Sequence, residues 1–186
     1  MRLMWITNTR CGAPIQQHTI EKNNFMQTIT VIGLGTMGHG IAQTFAVAGF
    51  DVRLFDENET VRDSVIARVQ QNLEVMLQNG LLESIELDDV ISRMIVCQGE
   101  QEACEQSDFI IEAIAEDLDI KRAFFSRCEQ VVGESSILAS NTSSFPNSRI
   151  AAGLNHPERC INTHWFNPAH VIPVVEIIPG EHTSED

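Results

Sequence analysis

The sequence predicts an α/β fold: a doubly wound, mostly parallel sheet with helices on both faces and a helical hairpin inserted after the second strand. Three observations carry that expectation. Residues 28–56 read as strand, tight turn, helix, strand and terminal acid. Short apolar runs then alternate with stretches of helical period. Two last apolar runs, at 160–163 and 174–178, close the domain as a small strand pair.

The first pattern sets the chemistry. The run Thr28 to Ile32 meets Gly33-Leu34-Gly35-Thr36-Met37-Gly38, and Ile41, Ala42, Phe45, Ala46 and Ala48 recur at helical spacing until Gly49. Gly33 permits the turn, Gly35 lets the backbone approach a pyrophosphate, and Gly38 allows helix to pack closely on strand. The free N–H groups of the first helical turn, with the helix dipole, would hold the pyrophosphate. Asp51 to Phe55 forms the second strand, and Asp56 at its end can accept hydrogen bonds from an adenosine ribose. A carboxylate there repels a 2'-phosphate, so NAD is expected rather than NADP. Arg53, the only nearby base, is expected to face away, since side chains alternate along a strand. Gly33, Gly35, Thr36, Met37, Gly38 and Asp56 are therefore the expected cofactor contacts of a Rossmann-like domain.

Residues 59–79 read as a long helix with the stripe Val61, Val65, Val69, Leu73, Met76 and Leu77, stopped by Gly80. Residues 81–90 supply the second helix of the hairpin, best formed from Ser84 to Val90. A strand at 91–96, an acidic helix or turn at 100–106 and a stronger strand at 109–114 follow. Glu116 stands just past that strand, where it either reaches the nicotinamide end of a cofactor or is a solvated loop acid. The helix expected at 118–132 offers Ile120, Phe124, Phe125 and Cys128 for burial. Lys121 and Arg122 begin it on another face, as surface charges or as partners of an acidic ligand.

Ile137-Leu138-Ala139 enters Ser140-Asn141-Thr142-Ser143-Ser144. Capping of a helix at 147–152 accounts for one or two of these polar residues, and the rest could line a substrate site. The strand at 160–163 leads to His164-Trp165-Phe166-Asn167-Pro168, where Pro168 stops regular continuation and leaves His164 and Asn167 in a strand-end loop. His156 and His170 read as surface residues. Glu176 sits among Val174, Val175, Ile177 and Ile178, so it must be exposed or paired. Pairing with His164 would fix the ring tautomer and strengthen the other nitrogen as a proton acceptor, although spacing alone does not establish that contact.

With 186 residues and 43% apolar content, the chain supports one sizeable core, or one domain and the beginning of another. Its 26 acidic and 12 basic side chains, net charge −14, argue against a nucleic-acid surface. Cys11, Cys97, Cys104, Cys128 and Cys160 form no CxxC pair and read as small apolar residues in a reducing, cytoplasmic setting, not as a disulfide framework or a zinc site. No apolar stretch reaches membrane-spanning length. Residues 1–27 lack a helical or strand period. A loosely packed or disordered extension on a domain beginning near Met26 is preferred there to a mitochondrial presequence.

Taken in order, GLGTMG, EAIAEDLDIK at 112–121, SNTSS at 140–144, and HWFNP at 164–168 followed by VVEII at 174–178 resemble the N-terminal NAD-binding domain of the L-3-hydroxyacyl-CoA dehydrogenase family, over roughly residues 28–180. The resemblance implies reversible NAD-linked oxidation of a 3-hydroxyacyl thioester without a metal. His164 is the implied acid/base and Glu176 its orienting carboxylate. Ser143 and Asn167 match substrate contacts, and Glu116 and Lys121 match positions near cofactor and substrate. Family members continue into a mostly helical C-terminal domain, of which 181–186 is expected to be the truncated start. An excised domain, a truncated product, and a half completed by a homodimer or another partner are the readings this leaves. The hairpin holds only Arg62 and Arg68 as bases, fewer than a coenzyme A site calls for, and Ile172-Pro173 resembles relatives acting on free hydroxyacids, the gulonate and carnitine dehydrogenase branches. The second expectation is therefore a non-CoA 3-hydroxyacid, and a third is an NAD-binding fragment without turnover.

Overall fold

A computed structural model describes residues 4–7, 16–19, 26–82 and 85–184. The chain runs β1 (Met4–Thr7), β2 (Gln16–Thr19), β3 (Thr28–Ile32), α1 (Gly38–Val47), β4 (Asp51–Phe55), α2 (Glu59–Gln78), α3 (Leu87–Ser92) and β5 (Met94–Val96). It continues through α4 (Glu100–Cys104), β6 (Phe109–Glu112), α5 (Leu118–Cys128), β7 (Ile137–Ser140), α6 (Asn147–Ile150), β8 (Cys160–Trp165) and β9 (Val174–Pro179).

The sheet has the order β2-β1-β9-β8-β7-β6-β3-β4-β5. From β5 to β8 every pairing is parallel, while β9 returns antiparallel to β8. Strand order reverses at β3, which pairs with β4 on one side and β6 on the other. A crevice therefore opens at the carboxyl ends of β3 and β6, where the helices that follow them diverge to opposite faces.

Because β3 is covered on both faces, its buried side chains from Ile29 to Ile32 are apolar in both directions with one exception. Ile29 and Val31 join the cluster under α1 and α2, and Ile32 joins the one that includes Phe124 and Phe125 of α5. Thr30 is the exception; its buried hydroxyl donates to Ala103 O at 2.7 Å and so ties α4 to the sheet. Phe45 on α1 packs edge-on against Phe50 and Trp165, with ring centroids 5.7 and 5.6 Å away. Burying such a ring contributes about 2–3 kcal/mol. In α2 the residues Val65, Val69, Leu73 and Met76 are buried as their spacing requires. Asn58 caps its start by accepting from Thr60 N and Val61 N, and Gly80, at φ +67°, follows its end.

Several boundaries differ from the sequence expectation. The second hairpin helix is α3, Leu87–Ser92 instead of 81–90, with Ser84 outside the described residues. Ile91 packs against the α1–α2 core as part of that helix, which shortens the next strand to Met94–Val96. The helix expected at 118–132 ends at Cys128. Strand β8 runs on through Trp165, so His164 lies in a strand and not in the loop beyond it. Residues 1–27 were expected to be irregular, yet β1 pairs in parallel with β9 from Met4↔Val174 to Thr7↔Ile177, and β2 pairs antiparallel with β1. A sheet edge accepts any extended backbone, whatever its side-chain pattern, so periodicity carries no signal for such strands. Cys97, Cys104, Cys128 and Cys160 are buried free thiols, as expected, while Cys11 lies outside the described residues. Burial pushes the Cys160 thiol up to about 12. Among the described residues no helix is long and apolar enough to cross a membrane.

Candidate active site

The glycine turn sits at the switch point, and its three glycines do different work. Gly33 has φ +86°, and a Cβ there would stand 2.6 Å from Ala113 O, just past the end of neighbouring β6. At Gly38 a Cβ would lie 1.7 Å from Gly33 O, so the turn closes only around glycine. Gly35 is exposed and has nothing within 4 Å of its Cβ position, which leaves its backbone open to a ligand. Thr36 is exposed and Met37 half-buried as the N-cap of α1, where no side chain caps the helix and its first N–H groups stay available.

Asp56 closes the other wall. Its carboxylate accepts from Leu34 N at 2.7 Å and from Asn58 N at 2.9 Å, which holds it across the turn with lone pairs left for a ribose. Arg53 turns away as expected and donates to Glu102 O and Ala103 O. It is not, however, the only nearby base. Arg62 donates to Asp56 O at 2.8 Å, and Arg68 lies within electrostatic reach of the Asp56 carboxylate. A cavity of about 290 Å³ runs between the turn, Asp56, Ile114 and Ile120, bounded outside by the Glu100–Arg127 ion pair. Its apolar walls and its acid at the rim suit the adenosine half of a dinucleotide.

At the end of β6 a network appears that the sequence reading missed. Lys121, read as a surface charge or as a partner of an acidic ligand, is instead 1% exposed and paired within the chain; its Nζ stands 3.0 and 2.9 Å from the two oxygens of fully buried Glu112 and 3.2 Å from Glu116. Glu112 also accepts from the Ser140 hydroxyl and Ile114 N. Burial pushes the Glu112 carboxyl up, while the Lys121 ammonium and the Ser140 hydroxyl pull against it. Glu116 accepts from the Thr142 hydroxyl, and although burial alone would raise it, the bonds from Thr142 and Lys121 hold it below the usual carboxylate range. Glu112 was hidden because it closes an otherwise apolar strand. Its one local signal was a lysine nine residues on, in the helix that begins beside it.

The antiparallel register of β8 and β9 places His164 opposite Glu176, and Nδ1 of the imidazole lies 2.7 Å from a Glu176 oxygen. A carboxylate only accepts, so Nδ1 carries the proton and Nε2 presents a lone pair. His164 is 26% exposed and Glu176 46%, so both remain reachable from solvent. The loop 140–144 is tied to this strand, since Trp165 N donates to Asn141 Oδ1 at 3.0 Å. Ser143 and Asn167 are exposed on the loops that follow adjacent strands β7 and β8. His156 is exposed and bonded to Glu158, as a surface residue should be. His170 is not a surface residue: it is half-buried, and its Nδ1 would lie 2.9 Å from a Cβ on Gly40 of α1.

A glycine turn at the switch point, an acid across from it and a parallel sheet define a dinucleotide-binding α/β domain. Residues 28–186 match the sequence profile of the 3-hydroxyacyl-CoA dehydrogenase, NAD binding domain, and the chain belongs to that family. It is 41% identical over 161 residues to a protein of Bacillus subtilis described as a probable 3-hydroxybutyryl-CoA dehydrogenase, an alignment covering 87% of this chain and 56% of the relative. Among solved structures, the 3-hydroxybutyryl-CoA dehydrogenase of Escherichia coli superposes with TM-score 0.80 at 34% identity, over 86% of this chain and 34% of that one. The (S)-3-hydroxybutyryl-CoA dehydrogenase of Ralstonia eutropha gives TM-score 0.80 at 32% identity, over 86% of this chain and 56% of that one. The chain thus spans about half the length of the curated relatives it matches.

Proposed function

We propose that the chain is the cofactor-binding and proton-handling half of an NAD-dependent dehydrogenase that interconverts a 3-hydroxyacyl-CoA and a 3-oxoacyl-CoA. The observation that carries this reading is the 2.7 Å bond between His164 and Glu176 at the same end of the sheet as the glycine turn. NAD in the crevice supplies the hydride acceptor, and the exposed backbone at Gly35, the uncapped start of α1 and the carboxylate of Asp56 fit its pyrophosphate and ribose. His164 Nε2 takes the 3-hydroxyl proton during oxidation and returns it during reduction. Glu176 keeps Nδ1 protonated and stabilises the imidazolium that forms. Ser143 and Asn167 hold the reacting oxygen and the acyl carbonyl. Glu116, kept in place by Lys121 and Thr142, borders the cofactor. A homodimer or a partner would supply the rest of the acyl pocket.

Calorimetric titration with NAD followed by acetoacetyl-CoA tests the reading. Binding of both supports it, and binding of neither rejects it. A second reading, a free 3-hydroxyacid as substrate, is favoured by the hairpin's two bases. Arg62 is buried against Asp56 and Arg68 turns toward the same end, which leaves the rest of α2 without a base. NAD binding without a thioester response, accompanied by NADH formation from free 3-hydroxyacids, would select it.

A further inference from the structure

Five polar residues at the carboxyl edge of the sheet close into a ring. Lys121 Nζ bonds both oxygens of Glu112 and one of Glu116. The Thr142 hydroxyl donates to Glu116, Thr142 N donates to the Ser140 hydroxyl, and that hydroxyl donates to Glu112. One Glu112 oxygen therefore accepts from Lys121 and Ser140 and the other from Lys121 and Ile114 N, so the carboxylate is ionised. The ring holds two negative charges and one positive. Glu112, Lys121, Ser140 and Thr142 are buried, and only Glu116 is exposed, at 41%, next to Ala115 in the cavity wall. The unbalanced negative charge thus faces the crevice.

Sheet order says which part of a dinucleotide meets it. The sequence β8-β7-β6-β3-β4 puts Asp56 and the glycine turn at one end and His164 at the other, with the ring after β6 and β7 between them. A dinucleotide with its adenosine at Asp56 and its pyrophosphate on the turn extends its reactive ring past Glu116 toward His164.

We propose that Glu112 sets the charge met by the nicotinamide: by neutralising Lys121 it leaves Glu116 as an unbalanced carboxylate, which favours the oxidised, cationic ring over the neutral dihydronicotinamide. The inference rests on the NAD-binding reading above. Glu112 touches no ligand and is a positioning residue acting through Glu116. Without its charge, Lys121 would answer Glu116 alone, and the edge of the crevice would be neutral.

The test is titration of the 186-residue chain with NAD and, separately, with NADH, with thermal melts to verify folding. The affinity for NAD relative to NADH should fall about three- to tenfold in Glu112→Gln and in Glu116→Gln. Glu112→Leu combined with Lys121→Met removes both buried charges and leaves Glu116 unbalanced, so its ratio should match wild type. A purely structural role for Glu112 would weaken both cofactor forms equally. An unchanged ratio in Glu112→Gln overturns the proposal, and so does an unchanged ratio in Glu116→Gln, whose exposed position keeps that variant folded where Glu112→Gln is not. Either result leaves NAD binding intact. A wild-type chain that binds neither NAD nor NADH overturns both readings.

Discussion

Nζ of Lys121 lies 2.9 Å from one oxygen of Glu112 and 3.0 Å from the other, and water reaches neither side chain. The pair joins the end of β6 to α5, and through Ser140 it reaches the polar loop after β7. Removing one member strands a buried charge, which costs far more than the intact pair contributes. Lys121→Met should lower stability in urea by about 3–5 kcal/mol, and Glu112→Leu combined with Lys121→Met should recover much of that loss. A double variant destabilised by the sum of the Lys121→Met and Glu112→Leu losses would show that the two charges are not coupled.

Two glycines only three residues apart should respond in opposite ways. A methyl at Gly38 meets Gly33 O at 1.7 Å, a backbone atom that cannot move aside, so Gly38→Ala should disrupt the turn and lower the melting temperature. Gly35 faces open space, so Gly35→Ala should change stability by no more than about 0.5 kcal/mol. It should nevertheless weaken NAD binding, because the new methyl occupies the approach to the backbone. Thermal melts with and without NAD separate the two effects.

In the assembled enzyme, His164→Ala should reduce turnover by about 100- to 10,000-fold with little change in NAD affinity, as expected for loss of a general acid/base. Glu176→Gln should reduce it less, since the imidazole keeps a hydrogen-bonding partner without the charge. Initial rates of NADH formation, set beside NAD binding isotherms, provide the check. Unchanged turnover in His164→Ala would remove that residue from the mechanism.

His39 and His170 face one another, with ring centroids 6.0 Å apart. Burial holds His39 below the usual imidazole value, opposed by its bond to Gly35 O and reinforced by Arg68. Burial and then His39 do the same to His170. The folded chain thus binds fewer protons than the unfolded one across this range. The contribution is fully present above the unfolded value near 6.5 and is lost as pH falls through the depressed folded values. Melting temperature should fall between about pH 7 and 5, and less steeply in His39→Gln. Parallel pH profiles for the two proteins would contradict this.

What the sequence by itself determined is whatever a local pattern carries. The turn at Gly33, Gly35 and Gly38, the acid at Asp56 and the stripe of α2 are written at fixed short spacings, so they were legible before any contact was known. The His164–Glu176 pair was legible as a possibility, because an acid inside an aliphatic strand needs a partner and a histidine stood at the end of another. Only the antiparallel register of β8 and β9 turned that possibility into a bond. Tertiary structure alone decided the rest: that Glu112 and Lys121 neutralise each other, that Arg68 reaches back along α2 to Val61 O, and that His170 packs on α1. Partners brought together from different elements leave no period in the chain. A charge in a sequence shows its sign, and only burial and register show which opposite charge, if any, answers it.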